Sequence, residues 1–231
     1  MYPSHTPKIS IVIPTYKEKA NLPVLVERIY KALVPLSTAF EMIVVDDNSP
    51  DGTFQIAQEL AKQYPLRPFI RKEEKGLSSA MWFGFQKALG DIVGFIDADL
   101  QHPPEVIPQL VQPILEGKAM MTVGSRLVEG GGVEDWPWYR RWVSSAGRLL
   151  ARPLTPVRDT MSGFFFLKKE VVQNVPLKII GYKLGLEIMV KGNHQDQILE
   201  IPYIFQNRNQ GDSKIGFSTY MAYLYQLFLL Y

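Results

Sequence analysis

The chain has 231 residues, a formal net charge of +2, no cysteine, and 46% hydrophobic against 21% charged residues. That length carries one large or two small domains with a real core, and the composition excludes disorder as the main state. The small net charge gives no overall footprint for nucleic acid, and the missing cysteines exclude disulfides, thiolate metal sites and a cysteine nucleophile. Nothing near the start reads as a signal peptide: Ile9 to Ile13 is a run of five apolar residues, soon followed by Lys17-Glu18-Lys19.

Lys8 to Pro14 (KISIVIP) predicts a fully buried first strand, with a turn over Pro14 to Glu18. Leu22, Leu25, Val26, Ile29, Tyr30 and Leu33 recur at helical spacing behind Asn21, a candidate N-cap. Met42 to Val45 is a second strand, ending in the polar run Asp46 to Thr53. Phe54, Ala57, Leu60, Ala61 and Tyr64 mark the next helix face; Pro68 to Arg71 is a short strand and Leu77 to Leu89 a helix. The apolar run Ile92 to Ile96 predicts a central strand climbing to Asp97 and Asp99, then Gln101 and the turn-forming His102-Pro103-Pro104. A helix from Pro104 to Glu116 and a strand from Met120 to Gly124 follow. Strand and helix alternate at βαβ spacing, so the fold class is α/β: a Rossmann-like, mostly parallel sheet with helices on both faces.

The second half is less regular. Gly130 to Gly132 reads as a flexible loop after Gly124-Ser125-Arg126. Trp136 to Arg152 (WPWYRRWVSSAGRLLAR) holds three of the four tryptophans beside Arg140, Arg141, Arg148 and Arg152. A membrane-interface segment fits that pattern, and so does an amphipathic helix covering the sheet with snorkelling arginines. Asp159 to Phe166 is a loop entering a strand, Lys183 to Lys191 a helix with Glu187 turned to the site or to solvent, and Ile198 to Phe205 a late strand. The polar, basic stretch Asn207 to Gly216 is a solvated loop, or one that closes over a diphosphate with Arg208 and Lys214 neutralising it. Phe217 to Tyr231 has fifteen residues without a charge. A spanning helix needs about 20. This tail is expected to be a helix, interfacial or juxtamembrane, that lies in an interface or leads into a membrane anchor.

No Gly-x-Gly-x-x-Gly follows the first strand and no Walker-type Gly-Lys-Ser/Thr occurs. Polar residues gather instead at three strand ends: Thr15/Tyr16/Glu18, Asp46/Asp47 and Asp97/Asp99/Gln101. Extended geometry past the central strand would turn positions 97, 99 and 101 to one side, at the edge where open α/β sheets place their ligands. Two carboxylates and an amide suit Mg2+ or Mn2+; the plain alternative is an acidic turn capping the next helix. An acidic pocket holds a diphosphate only with a cation, which favours the metal.

IVIPTYKEKANL, VVDDNSPDGT, GLSSA, DADLQHPPE and MSGFF, in this order, resemble the inverting, metal-dependent glycosyltransferases with a Rossmann-like fold, glycosyltransferase family two. Their spelling is most similar to the dolichol-phosphate mannosyltransferases and their bacterial polyprenyl-phosphate relatives, over Lys8 to Gly216. The resemblance implies that Pro14, Tyr16, Glu18, Val45 and Asp47, with Asp97, Arg208 and Lys214, hold a nucleotide sugar. It implies that Asp97, Asp99 and Gln101 hold the metal, and that Arg126, Arg140 and Ser144 grip the phosphate of a polyprenyl-phosphate acceptor. Two departures stand out. Thr160 occupies a position where many members have Pro, and Trp138 stands where the processive synthases' Gln-x-x-Arg-Trp has its Gln, before Arg141-Trp142. The second argues against processive chain growth.

The expected activity is inverting transfer of a hexose, mannose from GDP-mannose first, to a polyprenyl phosphate. Asp97, Asp99, Arg126 and Arg208 would carry the catalysis. A phosphate monoester is largely ionised at neutral pH, its second pKa being about 6, so it needs positioning more than a general base. His5, His102 and His194 show no evident partners in the sequence. A glucosyltransferase using UDP-glucose and a catalytically silent nucleotide-sugar-binding subunit remain as rivals. The expected organisation is a catalytic domain over residues 1–216 and an apolar tail over 217–231. The expected place is the cytoplasmic face of a membrane, peripheral or held through the C-terminus by an anchoring segment or subunit.

Overall fold

A computed structural model of the chain describes residues 8–134, 149–179, 183–207 and 217–231, the first four of the last segment by backbone alone. The strands are β1 (Ile9–Thr15), β2 (Phe40–Asp46), β3 (Leu66–Ile70), β4 (Ile92–Phe95), β5 (Met121–Ser125), β6 (Gly132–Val133), β7 (Phe165–Lys168), β8 (Ile198–Pro202) and β9 (Ile204–Phe205). The α-helices are α1 (Leu22–Leu33), α2 (Thr53–Leu60), α3 (Leu77–Lys87), α4 (Ile107–Leu115), α5 (Leu184–Lys191) and α6 (Phe217–Leu230). Seven strands form one sheet in the order β3-β2-β1-β4-β7-β5-β8, while β6 and β9 pair separately. All neighbours in the large sheet run parallel except β7, which is antiparallel to both β4 and β5.

The sheet is buried on both faces, so its strands read as unbroken apolar runs whose side chains alternate between two cores. Ile9, Ile11, Ile13, Met42, Val44, Ile92, Ile96, Phe164 and Phe166 pack with α1 and α4. Val12, Ile43, Val45, Val93, Phe95, Phe165 and Leu167 face α3 and α5. A one-residue slip would exchange these two sets, which fixes the register. Gly94 leaves room for the ring of its cross-strand partner on β7: a Cβ there would lie 2.0 Å from the Phe166 ring.

The strand order reverses beside β1. β1, β2 and β3 progress outward in one direction, and β4 returns to the other side of β1. β1 pairs with β4 only from Ile9↔Ile92 to Val12↔Phe95, and the ladder ends with Ile96 N–H donating to Val12 O (3.2 Å). Backbone groups two residues apart point the same way along a strand, so the next position on this side belongs to Pro14, which has no N–H to offer. The two strands part there, and a crevice opens at the carboxyl ends of the sheet.

Local structure differs from the sequence expectation at several points. Asn21 makes no side-chain cap on α1; its Nδ2 donates to Glu18 Oε2 instead (2.8 Å). The late strand is two strands, because Pro202 ends β8 and the chain turns away to pair with β6. The glycine loop is partly ordered as β6. At Gly131 a Cβ would come within 2.6 Å of Ser125 O, so the backbone passes too close for any side chain. Glu187 faces neither the site nor solvent. It is buried and accepts the N–H groups of Lys178 (2.8 Å) and Ile179 (3.2 Å) and the Lys191 ammonium (2.7 Å).

Candidate active site

The three polar clusters meet where the sheet opens. At the end of β2, Asp46 ties β1 to β2: Thr15 Oγ1 donates to its Oδ2 (2.9 Å), as do Ser49 Oγ (2.6 Å) and, to Oδ1, Ser49 N–H (2.8 Å). Glu18, 8% exposed, is held by Asn21 and by its own N–H donating to Thr53 Oγ1 (3.0 Å). Pro14 and Val45 are register partners and buried; Tyr16 is partly exposed, with the Lys17 and Lys75 ammonium groups 5.5 and 5.4 Å from its ring centre. These residues lie together at the carboxyl ends of β1 and β2.

Asp47 is arranged in a way no motif announced. Arg71, buried at the end of β3, donates Nε to Asp47 Oδ1 (2.7 Å), and Gly76 N–H donates to Oδ2 (2.8 Å). The remaining Arg71 nitrogens reach Ser79 Oγ (2.9 Å) and Gly76 O (3.0 Å). Asp47 and Arg71 thus pin the 71–76 loop to the carboxyl end of β2. The sequence signal was available only as a basic residue following a strand at the catalytic edge.

The Asp-x-Asp segment departs from the extended geometry expected for it. β4 ends at Phe95, and a turn follows with Leu100 in the left-handed region (φ 64°). Burial of the Leu100 side chain in the core supports that costly backbone. The alternation is therefore broken. Asp97 is one-third exposed, whereas Asp99 and Gln101 are nearly buried, and Gln101 N–H donates to Asp99 Oδ1 (3.1 Å). Gln101 Nε2 donates to Gln206 O (3.1 Å), and Gln206 N–H returns to Gln101 O (2.9 Å). With its nitrogen so committed, the Gln101 amide offers its oxygen to a ligand.

His102, which showed no evident partner in the sequence, has one in the structure. Its Nε2 stands 3.5 Å from Asp97 Oδ2, and its ring sits among Phe164, Tyr203 and Phe205 at 5.1–5.5 Å. Those rings fix the imidazole, and the imidazole aims Asp97.

A cation fits this donor set. Among the described residues no three carboxylate, imidazole or thiolate groups converge. Two hard carboxylates and an amide oxygen would leave the other positions of a six-coordinate Mg2+ or Mn2+ to water and phosphate.

On the far side of the crevice Arg126, just past β5, forms a bidentate pair with Asp159: Nε to Oδ2 and Nη2 to Oδ1, both 2.7 Å, with Arg126 N–H also on Oδ2 (2.9 Å). Burial opposes both charges, but their mutual hydrogen bonds and attraction prevail, so Arg126 is raised and Asp159 lowered from their ordinary pKa values. Glu200 on β8 accepts the N–H groups of Arg158 (2.9 Å) and Asp159 (3.0 Å). The guanidinium lies 5.3 Å above the Phe205 ring. The loop from Asp159 then runs beneath Asp97: a Cβ on Gly163 would come 3.1 Å from Asp97 Oδ2.

Arg140, Ser144, Arg208 and Lys214 lie outside the described residues, as do Trp136, Trp138 and Trp142 and His5. His194, the remaining histidine, is structural, its Nε2 3.0 Å from Met189 O. α6 is a helix as expected from its apolar run. No helix among the described residues is long and apolar enough to cross a membrane.

Comparison with known proteins identifies relatives of this chain. The sequence profile described as glycosyl transferase family 2 matches residues 10–175. The dolichol-phosphate mannosyltransferase of Pyrococcus furiosus is 45% identical over 227 residues, covering 96% of this chain and 63% of that protein. The chain therefore spans under two thirds of that relative's length. The dolichol-phosphate mannosyltransferase of Saccharomyces cerevisiae is 40% identical over 232 residues, covering 96% and 86%. A mannosyltransferase from Pyrobaculum calidifontis, solved in complex with GDP-Man and Mn2+, shares the fold: TM-score 0.64 at 19% identity, covering 99% of this chain and 64% of that one.

Breaking the Arg126–Asp159 pair leaves a charge stranded in the interior. Asp159→Asn should destabilise the protein by about 3–5 kcal/mol, the usual consequence of removing one partner of a buried ion pair. Denaturant unfolding measures this, and a loss below about 1 kcal/mol would show the pair to be solvent-screened.

Proposed function

Because the chain belongs to glycosyl transferase family 2, we propose that it transfers mannose from GDP-mannose to a dolichyl or related polyprenyl phosphate, inverting the anomeric centre. The observation that carries this reading is two carboxylates, Asp97 and Asp99, at a crevice with an arginine on its other wall, Arg126, whose side chain is buried and fixed by Asp159. Relatives 40–45% identical and named dolichol-phosphate mannosyltransferases support the choice of sugar and acceptor.

The nucleoside lies on the wall built by Pro14, Tyr16, Glu18, Val45 and Asp47, beneath the loop that Arg71 holds. Asp97, Asp99 and Gln101 would hold Mg2+ or Mn2+, which when bound would neutralise charge on the diphosphate as it departs. His102 keeps Asp97 aimed at that position. The acceptor phosphate is its own nucleophile, since a monoester with a second pKa of about 6 is mostly dianionic at neutral pH. The task left to the protein is alignment: Arg126, with Arg140 and Ser144, orients the phosphate oxygen for in-line attack on the anomeric carbon. Arg208 and Lys214 would cover the leaving group. In-line displacement makes the product a β-linked mannosyl phosphate from an α-linked donor.

A polyprenyl acceptor requires a lipid-facing surface. α6 exposes Met221, Leu224, Tyr225 and Phe228, and Tyr231 Oη donates to Leu150 O (2.7 Å) beside the exposed Leu149. We assign this apolar face to the membrane interface, with residues 217–231 as the contacting tail. The chain should sediment with anionic vesicles; staying wholly in the supernatant would remove that assignment.

The transfer itself is tested by incubating the protein with radiolabelled nucleotide sugars, a polyprenyl phosphate and Mn2+, then counting the organic phase. Label should come from GDP-mannose and vanish with excess chelator. Asp99→Asn should cut the rate about 100-fold or more, the factor given by losing ~2.7 kcal/mol of charge stabilisation. Label from UDP-glucose instead would overturn the donor, and undiminished transfer in chelator would overturn the metal.

A further inference from the structure

The C-terminal helix α6 carries no charged residue along its length. Tyr223, Gln226 and Leu227 turn inward, and Tyr223 and Leu227 pack with Leu186 of α5 and with Ala151. Met221, Leu224, Tyr225 and Phe228 stay in the open, Phe228 with 75% of its surface exposed. Because Tyr231 Oη donates to Leu150 O (2.7 Å), the exposed Leu149 and Leu150 extend the same apolar surface. Large apolar side chains gathered in this way mark a surface made for interaction.

The charges bordering this surface have one sign. Arg152, exposed, follows directly on Ala151. Lys178 is also exposed, and with Lys191 it lines a depression shared with Leu229 and Leu230 of α6. Over residues 149–158, 175–179, 184–191 and 217–231 the single acid is Glu187. Its carboxylate is 2% exposed, and it accepts the Lys191 ammonium (2.7 Å) and the backbone N–H groups of Lys178 and Ile179. Lys191 is therefore committed to Glu187, and no negative charge reaches the surface from these segments. Arg152 beside Leu150, and Lys178 beside Leu229, remain as its outward charges. No described residue forms an ion pair with either of them.

An apolar face alone enters a bilayer whatever its headgroups, because the acyl chains beneath them are alike. Cations at the border of such a face behave differently. They stand at headgroup depth, where a negative surface attracts each of them and a neutral one does not. Tyr225 and Tyr231, exposed on the same face, have the apolar body and polar tip that suit that depth. The pattern favours a lipid surface over a protein partner.

We propose that this face selects membranes that carry anionic phospholipids. Arg152 and Lys178 pair with the headgroups while the exposed side chains of α6 enter the acyl boundary. This rests on the assignment of the face to the membrane interface, and it adds the chemistry of the lipid that the face meets.

The test measures how the whole chain partitions onto sedimented vesicles of phosphatidylcholine, alone or in equal mixture with phosphatidylglycerol. No sugar transfer is needed for the measurement. The mixed vesicles should bind about 20-fold more tightly, since two cations at roughly fivefold each multiply. That advantage should shrink as salt is raised. Lys178→Gln and Arg152→Gln should each weaken binding to the mixed vesicles about fivefold and leave binding to neutral vesicles unchanged. Phe228→Ser should weaken both alike, and Lys178→Arg, which keeps the charge, should bind as the unaltered protein does. Equal binding of the unaltered protein to both vesicles overturns the proposal and leaves the membrane assignment standing. Binding to neither removes that assignment and this proposal together, and gives the face to a protein partner. A preference for mixed vesicles that survives in the Lys178→Gln, Arg152→Gln double variant also overturns it, because the selectivity then lies in other residues. So does a loss in Lys178→Arg equal to that in Lys178→Gln, which makes the effect one of shape and not of charge.

Discussion

β1 and β4 remain hydrogen-bonded only as far as Val12 and Phe95, and the site is laid out around the opening beyond that point. In a sheet buried on both faces, an unpaired backbone group is expensive, so a gap between adjacent strands needs a reason. Here Pro14 removes the donor that would have continued the ladder, and the β4 backbone turns away through Leu100. The loops after β1, β2 and β4 then converge on one opening. Strand order places these ends together; their polar side chains need only follow the strands.

The acidic half of the opening and its basic half are stabilised differently. Asp46 and Asp47 are satisfied internally, by Thr15, Ser49, Arg71 and Gly76, so these carboxylates shape the wall. Asp97 keeps a third of its side chain exposed at the mouth. Opposite it, Arg126 and Asp159 are buried together with bidentate geometry, and such a pair contributes little net stability while strongly penalising the loss of either partner. What the pair secures is position. It fixes the loop running to Gly163, against which Asp97 rests, and it fixes the Arg126 guanidinium over Phe205. The same β9 residues touch both halves, since Phe205 packs on His102 and the adjoining Gln206 bonds Gln101.

Much of this was legible in the sequence, for identifiable reasons. Buried parallel strands leave apolar runs, and β1, β2, β4 and β5 were each found to within a residue or two. The Asp-x-Asp motif followed such a run, so its place at the carboxyl edge followed from topology. Its conformation did not, because the left-handed Leu100 is imposed by burial of that side chain and leucine carries no local signal for such a turn. The reversal of β7 was equally hidden: Phe164 to Leu167 alternate between the two cores as a parallel strand's residues would. Asp47 was legible as polar and at the edge, but its commitment to Arg71 depends on two strands lying side by side.

The account depends on Asp97 and Asp99 meeting a diphosphate through a bound cation. Crystals grown with GDP and Mn2+, measured near the manganese absorption edge, test this most directly. The account predicts an anomalous peak at bonding distance from carboxylate oxygens of Asp97 and Asp99 and from phosphate oxygens of GDP. GDP bound in the crevice with no such peak, or with manganese held elsewhere, would contradict it.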